Sequence, residues 1–176
     1  MLDKIAAAYG EKCYEVPVGF KYISSKMAET GAFLGGEGSG GLTVAGHIHG
    51  KDAIYSAALL VETVAKTGKK LSQLMREVTD RFGAYYMEEC NLTFEAARKP
   101  ALVHQIYEEH DIPKFADEIN HVSYLDGCKI FFKNGNWLLV RFSGTEPLLR
   151  IFAEVPEGEE QQAKELIETI REYYHI

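Results

Sequence analysis

An Asn-Gly pair in the second half of the sequence constrains the fold most, because it lies between two apolar runs. The runs cover residues 129–132 and 137–141, and Asn134 and Gly135 lie between them. Asn-Gly is the strongest short-range signal for a β-hairpin, since both residues tolerate a positive φ angle. We therefore expect an antiparallel hairpin here, with positive φ at both turn residues.

The rest of the second half adds two strand patterns and two helix patterns. Residues 85–93 and 148–154 read as strands, and residues 96–109 as a helix with Pro100 in its first turn, where proline is tolerated. A last helix carries one apolar stripe, formed by Ala163, Leu166, Ile167, Ile170 and Tyr174. These elements predict a small α+β domain with an antiparallel sheet over residues 84–176.

The first half alternates helix and strand patterns. Helices are predicted over residues 2–9, 20–30, 51–66 and 71–82, and short strands over residues 13–16 and 32–34. The helix over residues 51–66 has one apolar face, formed by Ile54, Ala57, Ala58, Val61, Val64 and Ala65. Gly83 follows the last helix, and we place the domain boundary there. The alternation predicts an α/β layer domain over residues 1–83.

The charge, the hydropathy and the cysteine content limit the classes of partner and the cellular location that we expect. The formal net charge is -7 and the pI is about 5.4, which argues against nucleic acid and anionic membranes as main partners. No apolar run approaches the roughly 18–20 residues that a membrane span needs. The odd set of widely spaced cysteines, Cys13, Cys90 and Cys128, predicts reduced thiols in a cytoplasmic protein.

A glycine-rich loop is the first candidate for ligand binding. Residues 35–41 contain five glycines, and their only functional side chains belong to Glu37 and Ser39. A carboxylate accepts hydrogen bonds from vicinal hydroxyls, and a serine hydroxyl donates or accepts, so the pair suits the recognition of a sugar. The alternative interpretation is a flexible surface loop.

A second loop, over residues 141–147, has the residue types of a phosphate site. Arg141 offers a planar fork of donors, Ser143 and Thr145 add hydroxyls, and Gly144 lets consecutive backbone N–H groups turn toward an anion. Arg150 follows nearby and adds positive charge. The alternative is a polar turn between two strands.

The remaining polar motifs carry weaker predictions. His47 and His49 have the spacing of metal ligands but lack an evident third ligand, so loop packing or a ligand-facing hydrogen bond is expected instead. Lys21 opens a helix, where its charge opposes the helix dipole, and this favours a ligand contact over a solvated lysine. Asp126-Gly127 is followed by Cys128, so it does not read as an Asp-Gly-Asp metal loop.

Four segments of the chain form an ordered set, namely VPVGFKYI, GGEGSGG, GHIHGKDAIYSA and RFSGTEPLLRIFAE. Together they resemble the α-D-phosphohexomutases, the phosphoglucomutase/phosphomannomutase family. The resemblance covers domains three and four of that family. It implies an incomplete α/β/α layer domain, without its first strand, followed by a TATA-binding-protein-like α+β domain. It further implies that Glu37 and Ser39 contact sugar hydroxyls.

The resemblance also assigns the phosphate contacts. It implies that Arg141, Ser143, Gly144 and Thr145 bind the phosphate that is not being transferred, and that Lys21 approaches the ligand phosphate. The sequence departs from the family at Gly38, where many members have glutamate, and at Gly41, where many have histidine. Any acid–base or phosphate role of that histidine is therefore in doubt here.

The implied reaction is an isomerisation in which a phosphoryl group moves between the 1 and 6 positions of a hexose, with hexose 1,6-bisphosphate as intermediate and activator. The phosphoserine and the Mg²⁺ ligands belong to domains one and two, so this chain is expected to contain no catalytic residue and no metal site. We expect a C-terminal fragment that acts with those N-terminal domains on hexose phosphates. Glucose, mannose and glucosamine phosphates stay open as substrates. The alternatives are a stand-alone, non-catalytic sugar-phosphate-binding module and a structural relic.

Overall fold

The computed structural model describes residues 1–144 and 146–176. The chain divides into two compact units, Met1–Gly83 and Ala84–Ile176. The first unit mixes helices with a short hairpin, and the second contains a five-stranded antiparallel sheet with helices, which confirms the predicted fold class.

Four helices and one β-hairpin form the first unit. They are α1 (Leu2–Ala8), α2 (Phe20–Thr30), β1 (Leu34–Gly36), β2 (Leu42–Val44), α3 (Ala53–Thr67) and α4 (Leu71–Phe82). Asp52 caps α3 by accepting a hydrogen bond from the Tyr55 N–H, and Gly31 and Gly68 end α2 and α3 in the left-handed conformation. The sequence signals that predicted the ends of these helices are therefore confirmed.

The strand predictions for this unit were partly wrong. Residues 13–16 form no strand, because a strand needs a neighbour to pair its backbone groups and the only described ladder of the unit joins β1 to β2. The strand predicted over residues 32–34 begins only at Leu34, and β2 was not predicted. The apolar face of α3 is present, yet Ile54 on that face is 85% exposed.

The second unit is built on a sheet with the order β3-β7-β6-β5-β4. Its strands are β3 (Tyr85–Thr93), β4 (Ile119–Ser123), β5 (Cys128–Phe132), β6 (Trp137–Phe142) and β7 (Leu148–Pro156). Every described pairing in it is antiparallel. The single predicted helix is replaced by a continuous helical segment, which consists of a 3₁₀ turn (Ala96–Arg98), α5 (Lys99–Val103) and a π turn (His104–Glu108). The last element of the unit is α6 (Glu160–Tyr174).

The Asn-Gly hairpin forms, but only Gly135 has a positive φ angle, of 93°. The Gly135 N–H donates to the Phe132 carbonyl, and the Phe132 N–H donates to the Asn136 carbonyl. This is a three-residue loop in which one glycine takes the left-handed position. The expectation of positive φ at Asn134 was therefore wrong, because a loop one residue longer leaves Asn134 outside that position.

The hydrophobic core of the second unit lies on one face of the sheet. Alternate residues of β5, β6 and β7 point into it and pack with α6, which contributes Ala163, Leu166, Ile167, Ile170 and Tyr174 as predicted. The opposite face of β6 and β7 carries Arg141 and Arg150. The longest helices, α3 and α6, have 15 residues, and no described helix has the length and apolar character needed to cross a bilayer.

Candidate functional site

The glycine-rich loop is the turn of the β1–β2 hairpin. The Gly40 N–H donates to the Glu37 carbonyl over 3.0 Å, and the Glu37 N–H donates to the Gly41 carbonyl over 2.9 Å. Gly40 has a φ angle of 91°. The loop is thus a hydrogen-bonded turn that presents Glu37 and Ser39 in a defined arrangement.

Glu37 is the centre of the polar contacts in this loop. The Ser39 hydroxyl donates to Oε2 over 3.1 Å, and the Lys51 ammonium donates to the same oxygen over 3.3 Å. The Glu37 side chain is only 21% exposed, whereas Lys51 is 55% exposed. Among the described contacts none uses Oε1, which makes this oxygen the candidate acceptor for a ligand hydroxyl.

Lys51 reaches this position because Gly41 has no side chain. A Cβ atom on Gly41 would lie 2.4 Å from the Lys51 Cδ atom and 3.3 Å from Glu37 Oε2. The Lys51 ammonium also lies 5.8 Å from the centre of the Phe20 ring at the start of α2. Sequence reasoning missed Lys51, although its place directly before the Asp52 helix cap was a usable signal.

Lys21 lies next to Phe20 in the first turn of α2 and is exposed. Its described ring contact is with Tyr22, at 4.8 Å from the ammonium to the ring centre. The start of α2 is tied to the 47–52 segment by the Ser24 hydroxyl, which donates to the His49 carbonyl over 2.9 Å. The helix start and the glycine-rich loop are therefore connected through the 47–52 segment, while no described contact joins Lys21 to Glu37.

His47 packs within its loop. Its Nε2 atom lies 3.0 Å from Asp52 Oδ2, and its ring stacks on Tyr55 with the ring centres 3.9 Å apart. The hydrogen bond from the Tyr55 N–H, and secondly that from His47, holds the pKa of the Asp52 carboxyl below its usual value. Within the described ranges no three His, Cys, Asp or Glu side chains lie together as metal ligands.

The predicted phosphate loop joins β6 to β7 in the second unit. The Ser143 N–H donates to the Leu148 carbonyl over 2.8 Å, and the Ser143 hydroxyl accepts from the Glu146 N–H over 3.3 Å. Gly144 is exposed, with open space where a Cβ atom would stand. Thr145, the remaining predicted contact, lies outside the described residues.

Two arginines face each other at the base of this loop. Arg141 on β6 pairs in register with Arg150 on β7, and paired residues of an antiparallel ladder point to the same side of the sheet. Arg150 in turn pairs with Asn91 on β3. The register places two arginine side chains next to each other on one face of the sheet, and guanidinium groups suit an anion with several oxygens.

Lys99 also contacts this loop and was missed by sequence reasoning. Its ammonium donates to the Ser143 carbonyl over 2.6 Å. The position of Lys99 in the first turn of α5, where a positive charge opposes the helix dipole, was the one available signal. This contact adds a third cation to the neighbourhood of the loop.

Tyr107 supports the last residue of β6. Its hydroxyl accepts from the Phe142 N–H over 3.3 Å and donates to the Val140 carbonyl over 3.4 Å. Burial raises the pKa of this phenol above its usual value, so the hydroxyl stays neutral near pH 7. On the outer side, Asp126 Oδ2 lies 3.2 Å from Arg141 Nη1.

Comparisons with known proteins identify relatives of both units. A family model described as "Phosphoglucomutase/phosphomannomutase, alpha/beta/alpha domain III" matches residues 1–82, and one described as "Phosphoglucomutase/phosphomannomutase, C-terminal domain" matches residues 89–172. A phosphoglucomutase/phosphomannomutase of Thermococcus kodakarensis is 34% identical over 168 residues, which cover 96% of this chain and 34% of that protein.

One further relative and one solved structure extend this result. A phosphoglucosamine mutase of Streptococcus agalactiae is 35% identical over 143 residues, which cover 81% of this chain and 28% of that protein. The X-ray structure of a Burkholderia thailandensis phosphoglucomutase/phosphomannomutase family protein superposes with a TM-score of 0.73, covering 97% of this chain and 34% of that chain. At 21% identity this last likeness shows the fold alone. The chain thus spans about a third of the length of these relatives.

Proposed function

The chain belongs to the phosphoglucomutase/phosphomannomutase family, as its motifs predicted, and from this we propose that it is the substrate-binding half of a phosphohexomutase. The proposed enzyme is an isomerase that interconverts hexose 1-phosphates and 6-phosphates. The observation that carries the proposal is the pairing of Arg141 with Arg150 at the base of the Ser143–Gly144 turn.

The first unit supplies the sugar contacts in this proposal. Glu37 accepts hydrogen bonds from sugar hydroxyls through Oε1, while Ser39 and Lys51 hold Oε2 and offer further polar groups. Lys21 approaches the ligand phosphate from the start of α2. A hydrogen-bond donor and a hydrogen-bond acceptor next to each other suit a sugar phosphate that must bind in two orientations.

The second unit supplies the clamp for the phosphate that is not transferred. Arg141 and the Ser143, Gly144 and Thr145 segment bind its oxygens, and Arg150 adds the second guanidinium group. Binding at a distal phosphate fixes the position of the sugar, and well-positioned reactants gain several kcal/mol toward the transition state. The chain thus contributes orientation and no nucleophile.

The phosphoryl chemistry is assigned to the N-terminal domains of the longer enzyme. The donor set for Mg²⁺ does not fit this chain, because the described residues hold no cluster of three carboxylate, imidazole or thiolate ligands. As the family resemblance implies, the metal, the phosphoserine and the turnover of hexose 1,6-bisphosphate belong to the N-terminal domains of the proposed longer enzyme.

An NMR titration of the purified 176-residue chain tests the binding proposal. Glucose 6-phosphate is expected to shift the signals of residues 37, 39 and 51 and of residues 141–144, inorganic phosphate only the second group, and glucose only the first. Arg141→Gln should abolish the phosphate shifts. The matched control Arg171→Gln removes a guanidinium that pairs with Glu168 on α6 and should leave the shifts unchanged.

The outcomes separate the remaining alternatives. Unmoved signals at millimolar ligand would contradict the clamp and favour a structural relic. Binding by the chain alone, with mutase turnover appearing only when the N-terminal domains are supplied, supports the fragment. Native protein of 19.7 kDa in the source cells would instead favour the stand-alone binding module.

A further inference from the structure

The turn between β4 and β5 approaches β6 more closely than a side chain would allow. Gly127 has a φ angle of 104°, and a Cβ atom built on it would lie 2.7 Å from the Val140 carbonyl oxygen and 3.2 Å from the Arg141 Cβ atom. Both the angle and the space require glycine. The Asp126-Gly127 pair, which does not read as a metal loop, is thus built to place Asp126 beside Arg141.

Asp126 holds one end of the Arg141 guanidinium group. Its Oδ2 atom lies 3.2 Å from Nη1, and the two side chains are 37% and 23% exposed. Arg141 stands between this carboxylate on one side and the paired Arg150 on the other. The carboxylate therefore balances one of two neighbouring positive charges and fixes the direction in which the guanidinium fork points.

We propose that Asp126 is a positioning residue for the phosphate-binding arginine. Resting on the proposed function, the inference assigns Asp126 the task of ordering Arg141 before the phosphate arrives. An unrestrained arginine loses its rotamer freedom on binding, whereas a restrained one has lost it already. Immobilising one such side chain changes affinity by about three- to tenfold.

Removal of the Asp126 carboxylate changes phosphate affinity in opposite directions for a positioning role and for a purely electrostatic role. If Asp126 only lowered the local potential, its removal would tighten the binding of a dianion. If it positions Arg141, its removal weakens binding, and Asp126→Asn rescues most of the loss because the amide oxygen still accepts from Nη1. The two roles thus predict opposite changes for Asp126→Ala.

Isothermal titration calorimetry of the full 176-residue chain with inorganic phosphate, at fixed ionic strength, measures whether phosphate affinity rises or falls. We expect Asp126→Ala to weaken binding by about three- to tenfold and Asp126→Asn to stay near the wild type. Glu118→Ala is the charge-matched control: it removes a carboxylate that pairs with Lys133 at the opposite end of the β4–β5 hairpin, and its affinity should not fall.

A second readout examines Arg141 without any ligand. The side-chain N–H signals of Arg141 should be slowly exchanging in the wild type and in Asp126→Asn, and averaged in Asp126→Ala. Tighter phosphate binding by both Asp126 variants, or equal averaging of the Arg141 signals in all three proteins, would overturn the positioning role. Absence of phosphate binding by the wild type would refute the proposed function, and the Arg141 signals would then decide the positioning role by themselves.

Discussion

Arg141 and Arg150 lie directly opposite each other on the neighbouring antiparallel strands β6 and β7. Like charges in this position destabilise a sheet. Asp126 balances Arg141, and an incoming phosphate would balance both arginines. Under the proposed function, this pair costs stability in the free protein and gains it when phosphate binds.

Replacing Arg150 with glutamine should separate these two effects. Phosphate affinity should fall about tenfold, because one charge-assisted contact is lost. The free energy of unfolding in phosphate-free buffer should stay unchanged or rise by up to about 1 kcal/mol, because the repulsion is relieved. Urea denaturation with and without phosphate measures both. A large loss of stability without phosphate would show that Arg150 is structural.

The sequence made only part of the candidate phosphate site predictable. Arg141 and Ser143 could be found because they belong to one short segment whose residue types suit an anion. The contacts of Lys99 and Asp126 with this segment could not be predicted, because the two residues reach it from positions 44 and 15 residues away. Such contacts depend on the strand order of the sheet, which residue patterns do not encode.

Substituting Lys99 with methionine should loosen the phosphate loop. The variant keeps the aliphatic stem but removes the ammonium that donates to the Ser143 carbonyl. We expect the unfolding free energy to fall by about 1.5 kcal/mol, as for hydrogen bonds to charged groups, together with weaker phosphate binding. Thermal denaturation and phosphate titration of the same samples provide the two values.

Lys164→Met is the matched control for this prediction. Lys164 lies exposed on α6 and carries the same charge, so its loss should alter neither quantity beyond the effect of net charge. If both lysine variants weaken phosphate binding equally, Lys99 acts through long-range charge and not through Ser143.

The fold was predictable where local signals suffice. Helix ends marked by Gly31 and Gly68 are found in the structure, since a left-handed cap is a property of the glycine itself. Residues 13–16 were wrongly predicted as a strand, and the edge strand β4 was not predicted. Both errors arise because strand formation depends on a partner elsewhere in the chain. The exposed apolar face of α3 shows the same limit: helical spacing predicts a face but not what covers it.

Replacing Gly41 with alanine should displace Lys51 from Glu37. The added Cβ atom would stand 2.4 Å from the Lys51 Cδ atom, and the flexible lysine can move away, so the unfolding free energy should change by less than about 1 kcal/mol. Glucose 6-phosphate affinity should fall several-fold. Gly38→Ala is the control, because a Cβ atom there meets nothing within 4 Å.

A double-mutant cycle sharpens the Gly41 prediction. Lys51→Met should reproduce the loss of affinity, and Gly41→Ala combined with Lys51→Met should lose no more than either alone, since both remove the same contact. Additive losses would mean that Gly41 contributes to binding by a route other than Lys51.

Acidification should weaken the first unit through Asp52. The hydrogen bond from the Tyr55 N–H, followed by that from His47, lowers the pKa of Asp52 below its ordinary value of 3.8. A carboxyl whose pKa is lower in the folded state stabilises fully above the unfolded value, and this contribution disappears as the pH falls through the folded pKa. From pH 7 to about pH 5 the Asp52 contribution should stay constant, and it should be lost progressively below 3.8.

Asp52→Asn isolates this contribution, because the amide still caps α3 but does not titrate. Hydrogen exchange of the Tyr55 amide between pH 2 and 6 reports the first unit, while the fluorescence of Trp137 reports the second unit as an internal reference. After correction for intrinsic exchange rates, protection should fall more steeply below pH 4 in the wild type than in Asp52→Asn. Asp80→Asn, which removes a carboxylate from α4, should follow the wild type. Equal slopes in all three proteins would show that the cap stabilises the helix without its charge.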